Sequence, residues 1–341
     1  MENLLKIDKS NMRQVILDFP KQFKIGMEAA RNIPKSRIPH PISNIVICGM
    51  GGSALPGDIL KMTNNQLLMT KLPILVHRDY GLPKEVNKES LIICISYSGN
   101  TEETLSALRE SWKRNLRIVS ISSGGKLIEF SKKRKIPFAK IPGGIQPRCA
   151  LGYQFAGLLK ILSGLRIIKN IDRKLLDLEK TLTPKNFEGT GRKLAQRIKG
   201  FIPLIYSSTR YQQLARIWKI KFNENSKIPS FFNIFPELNH NEMTGIGECE
   251  NKELRDKFII LILYDKETTS DILKRMKILS QIFRDRGIKT IFIEIKGKNF
   301  FEKIFSNLLL ADWTSYYLAL LQQINPTPVV LVEKFKRTMA S

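Results

Sequence analysis

The chain has 341 residues, 43% of them hydrophobic and 26% charged, which supplies ample material for a core and excludes the disordered and fibrous classes. Its length suits two domains. Lys and Arg number 56 against 31 Asp and Glu, a formal charge of +25; such an excess draws anions of any size and does not choose among nucleic acid, anionic membrane and small phosphate esters.

Helical periodicity fills roughly the first thirty residues. Met1 to Met12 has no apolar h-region, and the longest apolar run is Phe258 to Tyr264, so neither a targeting peptide nor a membrane span is expected. Ile45 to Cys48 reads as a short buried strand running into Gly49-Met50-Gly51-Gly52-Ser53 and an apolar helix near Leu55 to Met62. Ile74 to Val76 is the next strand. Leu91 to Ile95 then enters Ser96-Tyr97-Ser98-Gly99-Asn100-Thr101 and a helix carrying Glu102, Glu103, Leu105 and Leu108. Ile118 to Ser122 follows, closed by Gly124-Gly125 and a further short helix. This alternation predicts an α/β fold, a parallel sheet covered on both faces with ligands at the carboxyl ends of its strands.

A helix over Leu151 to Ile168 leads into a polar segment, Asn170 to Arg192, read as the connection between domains. A second series begins at Ile202 to Tyr206, with a helix over Tyr211 to Ile220 and strands at Phe258 to Leu263 and Thr290 to Ile295. A long apolar helix, Phe300 to Gln323, breaks at Asn325-Pro326-Thr327-Pro328 before a basic final helix, Val329 to Thr338. The expected division is residues 1–169 with their leading helix, a linker at 170–192, and residues 193–341.

Cys48, Cys94, Cys149 and Cys249 are far apart, form no Cys-x-x-Cys pair and have three histidines for company, so no structural zinc site is expected. Cys48 and Cys94 read as buried free thiols, which suits a reducing compartment. His40, between Pro39 and Pro41, and His77, ending a strand, read as structural. The run Ser131-Lys132-Lys133-Arg134-Lys135 reads as a solvated loop between a helix and the next strand, since no aromatic residues alternate with its charges.

Gly49-Met50-Gly51-Gly52-Ser53-Ala54 fits a loose dinucleotide fingerprint, because glycines admit a phosphate to the backbone and a helix N-terminus offers N–H groups. Asp79 would then be the ribose ligand, and a plain tight turn is the competing reading. The second loop tips the balance. Ser96, Ser98 and Thr101 set three hydroxyls around Gly99 at a helix start, which suits a phosphate monoester. Ordinary capping explains one such hydroxyl but not three in six residues.

Gly-Met-Gly-Gly-Ser followed by Ser-Tyr-Ser-Gly-Asn-Thr-Glu-Glu-Thr resembles the sugar isomerase (SIS) fold. Further motifs follow in order: Gln146-Pro147-Arg148-Cys149-Ala150-Leu151-Gly152-Tyr153, Asn223-Glu224-Asn225-Ser226-Lys227, Pro236-Glu237-Leu238-Asn239-His240-Asn241-Glu242 and Asn325-Pro326-Thr327-Pro328. Together they resemble the bifunctional phosphoglucose/phosphomannose isomerases from about Ile45 to Lys336. The resemblance implies two doubly wound SIS-type domains, parallel sheets flanked by helices, and a cytoplasmic aldose–ketose isomerase with no metal and no cofactor.

Carried residue by residue, it implies that Gly51, Gly52, Ser53, Ser96, Ser98 and Thr101 hold a sugar 6-phosphate and that Arg148 stabilises enediolate charge. Glu224 matches the general base. A carboxylate suits that work because the proton taken from one carbon must be returned to its neighbour. Against the commoner fate of a solvated Glu stands its polar Asn-Glu-Asn setting between apolar segments. His240 matches the ring-opening residue, which in the family comes from the other subunit and so implies a homodimer with shared sites. Lys336, with Lys334 as a second candidate, matches the active-site lysine, a solvated helix face being the competing reading. The threonine associated with admitting both epimers falls at Val329 by ungapped counting from Lys336, with Thr327 two residues upstream. Mannose 6-phosphate therefore stays open as a substrate beside glucose and fructose 6-phosphates.

Two rivals are weighed. A non-catalytic sugar-phosphate-binding regulator on this fold would need a DNA-reading helix-turn-helix, and about forty residues before the first strand leave little room for one. A nicotinamide-dependent oxidoreductase leaves Ser96, Ser98 and Thr101 without a task. Neither uses Glu224 and His240. The expected partners are the sugar phosphate and a second copy of the chain, with no nucleic acid and no membrane.

Overall fold

The computed structural model describes residues 6–33, 41–67 and 72–340; His40 and the first five residues lie outside them. The chain divides into two compact units, Asp18–Leu182 and Met1–Leu17 with Thr183–Ser341.

In the unit Asp18–Leu182, five parallel strands stand in the order β2-β1-β3-β4-β5. They are β1 (Asn44–Cys48), β2 (Ile74–His77), β3 (Ser90–Ile95), β4 (Arg117–Ser122) and β5 (Phe138–Lys140). β1 and β3 are buried at every position, as continuous apolar runs covered on both faces must be. From β1 the chain moves outward to β2, then returns past β1 to lay down β3. The change of direction therefore falls between β1 and β3, where open α/β sheets leave a crevice. Cys48 pairs in register with Cys94, and both are buried, unbonded thiols. Contact with the Cys48 thiol and burial push the Cys94 thiol up, away from the reactive thiolate.

The helix Glu102–Lys113 shows why these segments fold as they do. Glu102 and Glu103 occupy its first turn and Lys113 its last, each sign matching the helix dipole. Leu105 and Leu108 lie on one face, buried in a cluster with Val46, Cys48, Ile92, Cys94, Ile118 and Leu127. The basic run 131–135 closes the helix Gly125–Lys133 and its following turn. Ser131 is buried, and Arg134 sits 4.0 Å from the Trp112 ring centre, so the expected loop is a helix end with an aromatic partner distant in sequence.

In the other unit, β6 (Ile202–Ser208), β7 (Phe231–Phe235), β8 (Phe258–Tyr264) and β9 (Lys289–Glu294) form a parallel sheet in the order β7-β6-β8-β9. Leu204, Tyr206, Ile260 and Ile262 pack with Met276, Leu279 and Phe283 of the helix Ser270–Asp285. The helix Phe300–Leu321 is buried almost throughout, which accounts for its being apolar all round. Among the described residues no helix is long and apolar enough to cross a membrane. A Cβ on Gly191 would fall 2.4 Å from Trp313 Cβ, so glycine there lets the helix Lys185–Ile198 lie against Phe300–Leu321.

The leading helix Met12–Leu17 groups with this second unit. Asp8 accepts the Met12 N–H at 2.7 Å and the Tyr316 hydroxyl at 3.1 Å, and Arg13 pairs with Glu188 at 2.8 Å. Within residues 170–192 lie the helix Asp172–Thr181 and the start of Lys185–Ile198. The units divide between Leu182 and Thr183.

Candidate active site

The glycine turn follows β1 and the hydroxyl loop follows β3, so both stand at the carboxyl ends of the strands that flank the crevice of the first sheet. Gly51–Ser53 make a single 3-10 turn, with Gly51 at φ +50°, a left-handed conformation that favours glycine. At Gly52 the reason is space. A Cβ there would fall 2.9 Å from the backbone N and Cα of Arg148, so the bare glycine lets the Arg148 turn lie against the loop.

Ser53 is buried, and its Oγ accepts the Tyr97 N–H at 3.0 Å. Ser96 and Thr101 share a hydroxyl hydrogen bond of 2.8 Å, and Ser96 Oγ also accepts the Gly99 N–H at 3.1 Å. Ser98 is exposed, its Oγ accepting the Asn100 N–H at 3.2 Å. Thr101 is the N-cap of Glu102–Lys113, yet its hydroxyl does not bond to the first-turn N–H groups. Those groups and their dipole suit an anion. Asp79 closes its own turn by accepting the Tyr80 N–H at 2.8 Å, and His77 Nε2 lies 3.4 Å from the Tyr80 carbonyl.

Arg148 lies in the 3-10 turn Pro147–Cys149 and is only 1% exposed. Gln22 holds that turn from the helix Lys21–Ala29: its Nε2 donates to the Cys149 carbonyl at 2.8 Å, and its Oε1 accepts the Gly152 N–H at 3.0 Å. Sequence reading missed Gln22, since 127 positions separate it from Cys149 and no local pattern marks it.

Glu224, His240 and Lys336 belong to the other unit. Glu224 is half-buried in a π turn, Phe222–Ser226, that prolongs the helix Gln212–Lys221. Such turns are rare and concentrate at functional sites. Lys227 ends it in the left-handed conformation at φ +57°, its Nζ donating to the Glu224 carbonyl and, at 3.2 Å, to that of Pro326. His240 is exposed at the end of the 3-10 turn Glu237–His240. Two residues on, Glu242 anchors the segment by accepting from Tyr206 of β6 at 2.7 Å and from Asn233 of β7. Burial and the Glu242 charge raise the Tyr206 hydroxyl far above its ordinary range. Lys336 lies on the exposed helix Val330–Ala340, its side chain 55% exposed and paired with Glu333 at 3.3 Å.

The second sheet has its own change of direction, between β6 and β8. There Tyr211 donates to Asp265, and Lys303 Nζ bridges Asp265 at 3.0 Å and Glu267 at 2.8 Å. Burial opposes charge on Asp265, but bonds from Tyr211, the Glu267 N–H and Lys303 outweigh it and hold the carboxyl below its usual range. Burial opposes the Lys303 charge too, and Glu267 and Asp265 outweigh it. Among the described residues no three His, Cys, Asp or Glu side chains are grouped so as to hold a metal ion.

Residues 40–129 match the SIS domain family, and residues 187–339 match the bacterial phospho-glucose isomerase C-terminal SIS domain. The bifunctional phosphoglucose/phosphomannose isomerase of Aquifex aeolicus (strain VF5) is 36% identical over 302 residues, 88% of this chain and 91% of that protein. Its namesake from Caldicellulosiruptor bescii is 36% identical over 341 residues, covering 96% of this chain and 99% of that one. A solved structure of a hypothetical protein from Thermus thermophilus aligns with a TM-score of 0.76 at 15% identity, over 100% of this chain and 93% of that one, which shows the common α/β fold. With two parallel sheets of SIS type and relatives this similar over nearly their whole length, the chain belongs to the bifunctional phosphoglucose/phosphomannose isomerase family.

Proposed function

We propose that the protein interconverts glucose 6-phosphate and fructose 6-phosphate, and mannose 6-phosphate with them, through a cis-enediol. The loops at Gly51, Gly52, Ser53, Ser96, Ser98 and Thr101 take the 6-phosphate on backbone N–H groups and hydroxyls. His240, with Lys336 beside the sugar oxygens, passes a proton from the anomeric hydroxyl to O5 and opens the ring. Glu224 removes the C2 proton, the C1 carbonyl becomes an enediolate, and the Arg148 guanidinium offsets its charge. Glu224 then returns the proton to C1 while the proton of the O2 hydroxyl passes to O1, leaving a C1 hydroxyl and the C2 ketone. Mannose 6-phosphate reaches the same enediol, since the two aldoses differ only at C2.

The reaction moves hydrogen within one molecule and so needs no electron carrier. As the family resemblance implies, we take the active form as a homodimer in which each subunit lends His240, exposed on its own chain, to the other. Its setting is cytoplasmic, where thiols such as Cys48 and Cys94 stay reduced. The partners are the sugar phosphate and the second copy, and neither nucleic acid nor a membrane is needed.

The observation that carries this reading is the pair of loops at the crevice of the first sheet, with Gly52 packed on the Arg148 backbone, in a chain 36% identical to enzymes of that name. A coupled assay with each aldose phosphate tests it. Glu224→Gln is expected to lose roughly 10²–10⁴-fold in kcat while still binding the sugar phosphate; isomerisation at the parent rate overturns the mechanism. The regulator reading has no observation in its favour.

A further inference from the structure

The turn that carries Glu224 is held from a second helix. Lys221 Nζ pairs with Asp312 at 2.6 Å, the two side chains 1% and 6% exposed. Asn225 Nδ2 donates to Ser315 Oγ at 2.9 Å, and Ser226 Oγ donates to the Ser315 carbonyl at 2.8 Å. Gln322 Nε2 donates to the Ser226 carbonyl at 3.2 Å. Asp312 and Ser315 lie on Phe300–Leu321 and Gln322 at its C-cap; their spacing sets all three on one face. Ser315 Oγ spends its own hydrogen on the Ala311 carbonyl at 2.8 Å, which leaves it an acceptor aimed at Asn225.

A buried ion pair is a poor source of stability, because apolar residues of similar volume often serve as well. What it supplies is geometry. Here it sits one helical turn before Glu224, where the helix widens into the π turn, and Ser315 fastens the two residues immediately after Glu224. We propose that Asp312 and Ser315 are positioning residues that fix this turn and so set the height and direction of the Glu224 carboxylate. The proposal rests on Glu224 being the general base. A base that collects a proton from one carbon and delivers it to the next must be held closely, since a misplacement of about 1 Å costs about a hundredfold in rate.

The test compares steady-state kinetics on fructose 6-phosphate for Ser315→Ala and for Lys221→Met combined with Asp312→Leu. Melting temperatures are measured alongside, and each change is repeated with Glu224→Gln. Ser315→Ala is expected to lower kcat about tenfold with KM within about twofold and melting shifted by a few degrees. The paired replacement removes both charges together, so the chain stays folded while kcat falls similarly. Added to Glu224→Gln, neither change lowers the residual rate further, because both act through that carboxylate. Parent kcat in these variants beside an inactive Glu224→Gln overturns the positioning role alone. So does a loss that moves KM as much as kcat, or that persists in the Glu224→Gln background. Parent activity in Glu224→Gln overturns the reading of Glu224 itself. If the paired variant does not fold, Ser315→Ala decides.

Discussion

Ser53 Oγ accepts the backbone N–H of Tyr97 at 3.0 Å, so the glycine turn after β1 and the hydroxyl loop after β3 satisfy each other across the crevice. Ser53→Ala leaves that buried N–H without its acceptor, a cost of about 1–3 kcal/mol. The two loops then lose their mutual spacing. A rise in KM for sugar phosphate larger than the fall in kcat is expected, together with a lower melting temperature. An unchanged KM would show that the bond has no part in phosphate binding.

Two glycines separate conformation from function. Gly99 has φ +72°, and a Cβ there would lie 1.8 Å from the Gly124 carbonyl oxygen. Gly99→Ala therefore combines left-handed strain with overpacking against backbone and is expected to cost about 3 kcal/mol or more, read by denaturant unfolding. Gly52→Ala sets its Cβ 2.9 Å from backbone atoms of Pro147 and Arg148, without the left-handed strain of Gly99, so the Arg148 turn must shift. Its loss is expected in kcat/KM, about tenfold or more, with a smaller change in stability.

Acid should weaken the unit that holds β6 to β9 through Asp265 and Glu188. For Glu188, burial opposes the charge, but Arg13 and Tyr317 outweigh it and hold the carboxyl below its ordinary range. A carboxyl lowered in the folded state binds more protons once unfolded. Its stabilisation is present above the unfolded value, about pH 4, and is lost as pH falls through the folded value. Melting temperatures between neutral pH and about pH 3 are expected to fall steeply at the acid end. Asp265→Asn should start lower and decline less steeply, and a slope equal to the parent's would remove Asp265 from the account.

Lys334 and Lys336 stand two positions apart on one helix and so point to different sides. The proposed role beside the sugar therefore suits one of them and not both. Lys336→Ala is expected to lower kcat about tenfold or more, with Lys334→Ala close to parent; the reverse result would move the role to Lys334.

Thr327 follows Pro326, whose carbonyl is tied by Lys227 to the turn bearing Glu224. Val329 belongs instead to the start of the exposed final helix. Thr327→Val is thus expected to lower mannose 6-phosphate turnover relative to glucose 6-phosphate. Equal loss on both substrates would count against a role in admitting the epimer.

The loops after β1 and β3 were legible because a buried apolar run gives way to glycine or hydroxyl residues and then to helical spacing. β7 was not: Phe231–Phe235 has mixed exposure at a sheet edge, and Phe-Phe-Asn-Ile-Phe does not alternate cleanly. The helices within 170–192 were hidden behind Asn170, Thr183 and Pro184, which look like linker residues, while their buried positions are as sparse as Leu175 and Leu178. Around the candidate catalytic residues the limit is distance along the chain. Glu224 could be picked out by its motif, but its π turn depends on Ser315, 90 positions away from Asn225, and no local periodicity announces a partner so remote.

The Tyr211, Asp265 and Lys303 cluster at the carboxyl ends of β6 and β8 has a consequence for stoichiometry. The crevice of the second sheet is bridged by the chain's own Tyr211, Asp265 and Lys303, so a guest is expected only at the crevice of the first. A calorimetric titration with sugar phosphate is then expected to saturate at one molecule per chain, although each of the two parallel sheets has a change of direction.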